Sequence, residues 1–93
     1  MKLEWSADAL ADLERFAAFL NDRYPDLARI VAREIVVKTN ALIGNPQLGR
    51  AIAGHAHYRQ IVLQVLNANY VFQYRVDGER IVMLRVFHGR EKR

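Results

Sequence analysis

The sequence predicts an α+β domain whose elements run β-α-α-β-β-β: an N-terminal strand, an antiparallel helical hairpin, then a three-stranded antiparallel meander. Three observations carry this. Two apolar stripes at helical spacing fill the first half of the chain, and the short turn Asn21-Asp22-Arg23-Tyr24, followed by Pro25, separates them. From Tyr58 onward the residues become β-branched and aromatic, and Asp77-Gly78, a strong hairpin signal, falls between the last two such runs. At 93 residues, 52% apolar and 26% charged, the chain is sized for one globular domain, residues 1–93, and not for a disordered one.

Leu3-Glu4-Trp5 is a short strand candidate stopped by Ser6, whose hydroxyl suits a helix N-cap. Asp8 then lies in the first turn, where the helix dipole favours a carboxylate. Leu10, Leu13, Phe16, Ala17 and Leu20 step by three and four, giving a helix over roughly residues 7–21 with Asp12 mostly off its stripe. Pro25 suits the first position of a second helix, whose stripe is Leu27, Val31, Ile35 and Leu42. Gly44-Asn45-Pro46 ends it. The strands are expected over 58–65, 70–76 and 80–87, with Asn67-Ala68-Asn69 as the first turn.

A two-residue turn at Asp77-Gly78 would pair Val76 with Glu79, Tyr74 with Ile81, Phe72 with Met83 and Tyr70 with Arg85. The aromatic side (Tyr70, Phe72, Tyr74, Ile81, Met83) is then the core face under the helices. The other side (Val71, Val82, Leu84, Val86), ringed by Arg75, Arg80, His88 and Arg90, would stay open. A charged rim around an apolar strip marks a binding site; the tail or a second copy of the chain could also cover it. Trp5, Phe16 and Phe19 are expected in the core.

Charge is uneven. Residues 1–49 carry 6 basic and 7 acidic side chains; residues 50–93 carry 8 and 3. Arg85, Arg90, Lys92 and Arg93, against Glu91, give the last nine residues a net +3. Such an end is either a nucleic-acid patch or a solvated terminus. The absence of cysteine excludes a disulfide scaffold and a thiolate metal site and fits a reducing cytosol. No apolar run approaches the roughly 20 residues of a membrane span. Acids stand where a signal peptide would be apolar, so a cytoplasmic location is expected. His55-x-His57 is half of a metal pair with no carboxylate nearby in sequence, and reads as a solvated loop before the strand. No cofactor is expected.

Several pieces taken in order resemble the RelE/ParE superfamily of type II toxins. They are Leu3-Glu4-Trp5-Ser6-x-x-Ala9-x-x-Asp12-Leu13, Asn45-Pro46-x-x-Gly49-Arg50, Tyr58-Arg59, Tyr70-Val71-Phe72-x-Tyr74-Arg75-Val76 and Val86-Phe87-His88-Gly89-Arg90. The Pro-x-x-Gly-Arg turn and the Val-Phe-His-Gly-Arg ending are most similar to ParE. The resemblance implies a RelE-like toxin fold. It implies a non-catalytic toxin that inhibits DNA gyrase, and a cognate ParD-like antitoxin with an acidic tail that neutralises it by direct binding. Contact with DNA would come only through that antitoxin. The alternative is the RelE-like activity, a ribosome-dependent mRNA endonuclease. Cleavage by 2′-OH attack needs a base, an acid and cations. Val71 stands where that branch has an arginine, and the branch's C-terminal tyrosine has no counterpart up to Arg93. The expected antitoxin contacts are Val71, Arg75, Arg80, Val82, Leu84 and Val86. Arg59, His88, Arg90, Lys92 and Arg93 are the expected target-binding or residual active-site-like residues.

Overall fold

The computed structural model describes residues 1–90, leaving aside the side chain of Ala56. In chain order, β1 (Lys2–Trp5) leads to α1 (Ala7–Arg23), α2 (Pro25–Thr39) and the single turn α3 (Ala41–Gly44). Four more strands follow: β2 (Arg50–Ile52), β3 (His55–Val65), β4 (Ala68–Asp77) and β5 (Arg80–His88). They form one five-stranded sheet of order β1-β5-β4-β3-β2. β1 runs parallel to β5, and the other neighbours are antiparallel. The expected meander is therefore the centre of a wider mixed sheet. β2 was not expected, and β3 begins at His55, so His55 and His57 lie within a strand and not in a loop before it.

The helix starts follow their local chemistry. Ser6 caps α1, its Oγ accepting from the Ala9 N–H at 3.0 Å, with Asp8 in the first turn. Pro25 opens α2, where a missing N–H costs nothing. α2 stops at Thr39, whose buried hydroxyl donates back to the Ile35 carbonyl at 2.8 Å, and the expected single helix divides into α2 and α3.

α1 packs over β5 and α2 over β3. The core is Val31, Ile35 and Leu42 from the helices against Tyr70, Phe72, Tyr74, Ile81, Met83 and Val86, with Trp5, Leu13 and Phe16 at its border. The aromatic side of the sheet thus faces the helices, as expected. Phe16 meets the Tyr70 ring edge-on at 5.5 Å between centroids. Phe19 is a correction: it is 62% exposed, with the Arg23 guanidinium over its ring. Leu10 and Leu27, expected on the buried stripes, are exposed as well.

The β4–β5 register also differs. Asp77 pairs with Arg80, Val76 with Ile81 and Tyr74 with Met83, so the turn residues are Gly78 and Glu79. Gly78 takes φ +62° at the first central position, the place a II′-type hairpin reserves for glycine. A bulge then interrupts the ladder after Tyr74, and Gln73 faces Arg85, Phe72 faces Val86 and Tyr70 faces His88. One extra residue on one strand swaps its faces beyond that point. Val86, expected on the open side, is therefore fully buried in the core, and His88 lies on the core side beside Tyr70, rings 5.3 Å apart. The β3–β4 loop is Leu66-Asn67, with Ala68 and Asn69 already in β4, and Leu66 holds φ +57°.

α1 accommodates the bulge with two side chains. The Ser6 hydroxyl donates to the Leu84 carbonyl at 3.0 Å, and the Asp12 carboxylate accepts from the Val86 N–H at 2.8 Å. A bulge frees backbone groups that must find partners, and here the N-cap and the second turn of α1 supply them. Ser6→Ala removes the cap and the Leu84 partner together. It is expected to cost about 1–2 kcal/mol and to lower Tm by several degrees in a thermal melt.

Candidate functional site

The sheet face turned away from the helices carries three rows of side chains. Strand alternation and register place Val62, Val71 and Phe87 in one row, Gln60 and Gln73 beside the bulge in the next, and Tyr58, Arg75 and Val82 in the third. Gln73 donates to Gln60 at 3.1 Å. Val71 is only 3% exposed because its neighbours on both sides shield it, whereas Val62 is 55% exposed. Val82 and Leu84 are half-buried. The expected open strip exists, but its accessible apolar surface is Val62, Val82, Leu84 and Phe87, and not Val71 or Val86.

Its cations are engaged with one another's partners. Arg75 Nη2 lies 3.8 Å from Asp77 Oδ2, Arg80 Nη2 lies 3.3 Å from the same oxygen, and Arg80 Nη1 lies 3.2 Å from Glu4 Oε2. Two arginines alternate with two carboxylates, so this corner carries little net charge. Each exposed pair contributes little to stability. Arg75 Nε is buried and, among the described residues, has no hydrogen-bond partner.

The second expected group is not gathered in one place. Arg59 pairs with Tyr74 along β3–β4 and so points to the opposite face. Its Nη1 donates to the Gly49 carbonyl at 2.7 Å and more weakly to the Gln47 carbonyl at 3.5 Å. His88 lies opposite Tyr70, four residues further along β4 from Tyr74, roughly 13 Å at the strand rise. Its Nδ1 accepts from the Arg90 N–H at 3.2 Å. Lys92 and Arg93 lie outside the described residues.

Arg59 belongs to a clamp on the turn before β2. The Tyr74 hydroxyl donates to the Pro46 carbonyl and accepts from the Gly49 N–H, both at 2.8 Å. Burial pushes the Tyr74 phenol above its ordinary 10.0, outweighing the opposing effects of the Gly49 N–H and the Arg59 charge. The Pro-x-x-Gly spacing thus matches two backbone groups to one phenol.

Asp12 is the residue that sequence reasoning missed. It is 3% exposed. Arg85 donates to it twice, Nε to Oδ2 at 2.8 Å and Nη2 to Oδ1 at 3.1 Å, and Arg15 Nη1 lies 3.3 Å from Oδ1. Burial alone would raise its pKa. Hydrogen bonds from Arg85 and the Val86 N–H, with the charges of Arg85 and Arg15, outweigh that and hold it below the ordinary 3.8. The signal was present: Asp12 stands three residues from Ala9 and four from Phe16, which is a core spacing. Arg85, counted with the basic end, is therefore committed to the fold.

Among the described residues no group of three or more His, Asp or Glu side chains is placed to hold a metal ion, and no helix is long and apolar enough to cross a membrane.

Comparison with known proteins gives a consistent result. A chain from the chromosomal ParDE toxin–antitoxin system of P. aeruginosa superposes with a TM-score of 0.74 at 23% identity, covering 95% of each chain. A conserved hypothetical protein of Helicobacter pylori superposes with a TM-score of 0.56 at 15% identity, covering 98% of this chain and 97% of that one. These likenesses establish the α+β fold. A search of curated proteins gives no match. The family described as the ParE toxin of the type II toxin–antitoxin system parDE matches residues 3–93, and the chain therefore belongs to that toxin family.

Proposed function

We propose that this chain is the toxin of a cytoplasmic toxin–antitoxin pair, that it blocks DNA replication by inhibiting DNA gyrase without catalysis, and that a cognate antitoxin neutralises it by direct binding. The family match across nearly the whole chain carries the reading. The placement of the cations supports the non-catalytic part. Val71, itself buried, occupies the position where the ribonuclease branch has an arginine, while Arg59 holds a turn on the other face and His88 packs on Tyr70. The test is a pair of assays on the purified toxin. Gyrase supercoiling should be inhibited and cleavage complexes should accumulate, while mRNA on ribosomes stays intact. RNA cleavage with unaffected gyrase would reverse the assignment.

The antitoxin footprint proposed here is the outer sheet face, through Val62, Val82 and Leu84 with Arg75 and Arg80 at its rim. An acidic, amphipathic tail would match the apolar strip and would compete for the arginines. Val62 is exposed, so Val62→Asp should leave the domain folded, with the melting temperature lowered only by the poorer strand propensity of aspartate. It should weaken antitoxin capture at least tenfold, roughly 1.4 kcal/mol or more. Equal capture by the folded variant would place the footprint elsewhere.

A further inference from the structure

At one end of the sheet, the β2–β3 and β4–β5 turns meet the end of α3 and enclose two adjoining clefts. The outer one, about 530 Å³, is lined by His55, His57, Tyr58, Arg75 and Asp77 among others. The inner one, about 440 Å³, is lined by Asn45, Gln47, His57, Arg59 and Val76 among others. His57 borders both.

The two clefts differ in charge. In the outer cleft, Asp77 sits between Arg75 and Arg80 and cancels much of their charge. In the inner cleft no carboxylate is among the described residues that line it. Its fixed cation is Arg59, whose Nη1 is anchored on the Gly49 and Gln47 carbonyls, so the guanidinium is oriented before any ligand arrives. His57 is exposed at the rim, and the Asn45 and Gln47 amides add neutral donors. A preformed guanidinium with further N–H donors and no opposing acid is complementary to an anion with several acceptor oxygens. The volume exceeds that of a bare ion and falls within the range of small-molecule sites.

We propose that the inner cleft binds the phosphate group of a small phosphomonoester, held by Arg59 with His57 closing over it. This does not depend on the gyrase reading. The test is an amide NMR titration with adenosine 5′-monophosphate, with adenosine as the phosphate-free control. The nucleotide should give saturable shifts at Asn45, Gln47, His57 and Arg59, and adenosine should give none. Arg59 also holds the turn before β2, so the variant used is His57→Ala at the exposed rim; it should weaken binding roughly tenfold. Arg29→Gln, which removes a cation paired with Asp26 on α2, should leave binding unchanged. Shifts that stay linear into the millimolar range, equal binding of adenosine, unaltered affinity in His57→Ala, or an equal loss in Arg29→Gln would each overturn the proposal.

Discussion

Replacing Asp12 with alanine should destabilise the domain by about 3–5 kcal/mol, the range for breaking a buried ion pair, and that is a large share of the total expected for a domain this size. The loss has three parts. Arg85 loses both of its hydrogen bonds to the carboxylate, the Val86 N–H is left buried without an acceptor, and the bulge that keeps Val86 in the core loses its tie to α1. Arg85 is itself partly exposed and can turn to water, which places the figure nearer the lower end. Urea denaturation at neutral pH measures it.

The same carboxylate predicts a pH dependence. Its folded pKa lies below the unfolded value, so folding favours the ionised form. The stabilisation is complete above the unfolded carboxylate pKa, near ~4, and is lost as pH falls through the folded value. The stability gap between the native chain and Asp12→Asn should therefore be widest at neutral pH and should narrow below about pH 4. A gap that is constant from pH 7 to pH 3 would show that the charge contributes nothing and that only shape matters.

Gly49→Ala should cost about 2–4 kcal/mol, combining overpacking with disturbed buried hydrogen bonds. A Cβ there would stand 2.6 Å from Tyr74 Oη and 2.9 Å from the Gln60 carbonyl oxygen. Neither can retreat cheaply: the Tyr74 ring is in the core with its hydroxyl bonded on both sides, and the Gln60 carbonyl is strand backbone. Gly44→Ala is the control, since a Cβ at Gly44 meets nothing within 4 Å. A double-mutant cycle with Tyr74→Phe isolates the hydroxyl. The Gly49→Ala penalty should shrink once that oxygen is gone, and an unchanged penalty would assign the clash to the ring edge, whose Cε1 would stand 2.8 Å away, and to the Gln60 backbone.

Local chemistry made most of the element order legible, β2 and the division of the second helix apart. Ser6, Pro25 and the apolar stripes act within a few residues of themselves, and the structure keeps both helix starts and both stripes except for Leu10 and Leu27. The β4–β5 pairing was harder to read. Asp77-Gly78 and Gly78-Glu79 are both acceptable two-residue turns, and the choice between them rests on pairings further along the strands. The bulge had no local sequence signal, because it depends on Ser6 and Asp12 reaching β5 across more than 70 residues of sequence. That one residue moved Val86 from the expected binding face into the core. Arg59 and Arg80 are an equivalent case for the candidate site. Composition counts them as available cations, but the Gly49 carbonyl beside Arg59 and Glu4 beside Arg80 become neighbours only in three dimensions, whereas Asp77 meets Arg80 across the local turn.

The α1 contacts to the bulge bear on how this toxin behaves without a partner. Past Trp5, β5 runs on without a neighbouring strand on that side, and an uncovered strand edge is a template for pairing with another chain. The Leu84 carbonyl and Val86 N–H, two groups such a template would offer, are already occupied by Ser6 and Asp12. At the opposite margin the sheet ends in β2, three residues long and beginning with Arg50. The β5 margin is thus blunted by side-chain capping, and the opposite margin by the brevity and charge of β2 along the part of β3 that it covers. Edge-to-edge pairing of free chains is disfavoured along these stretches.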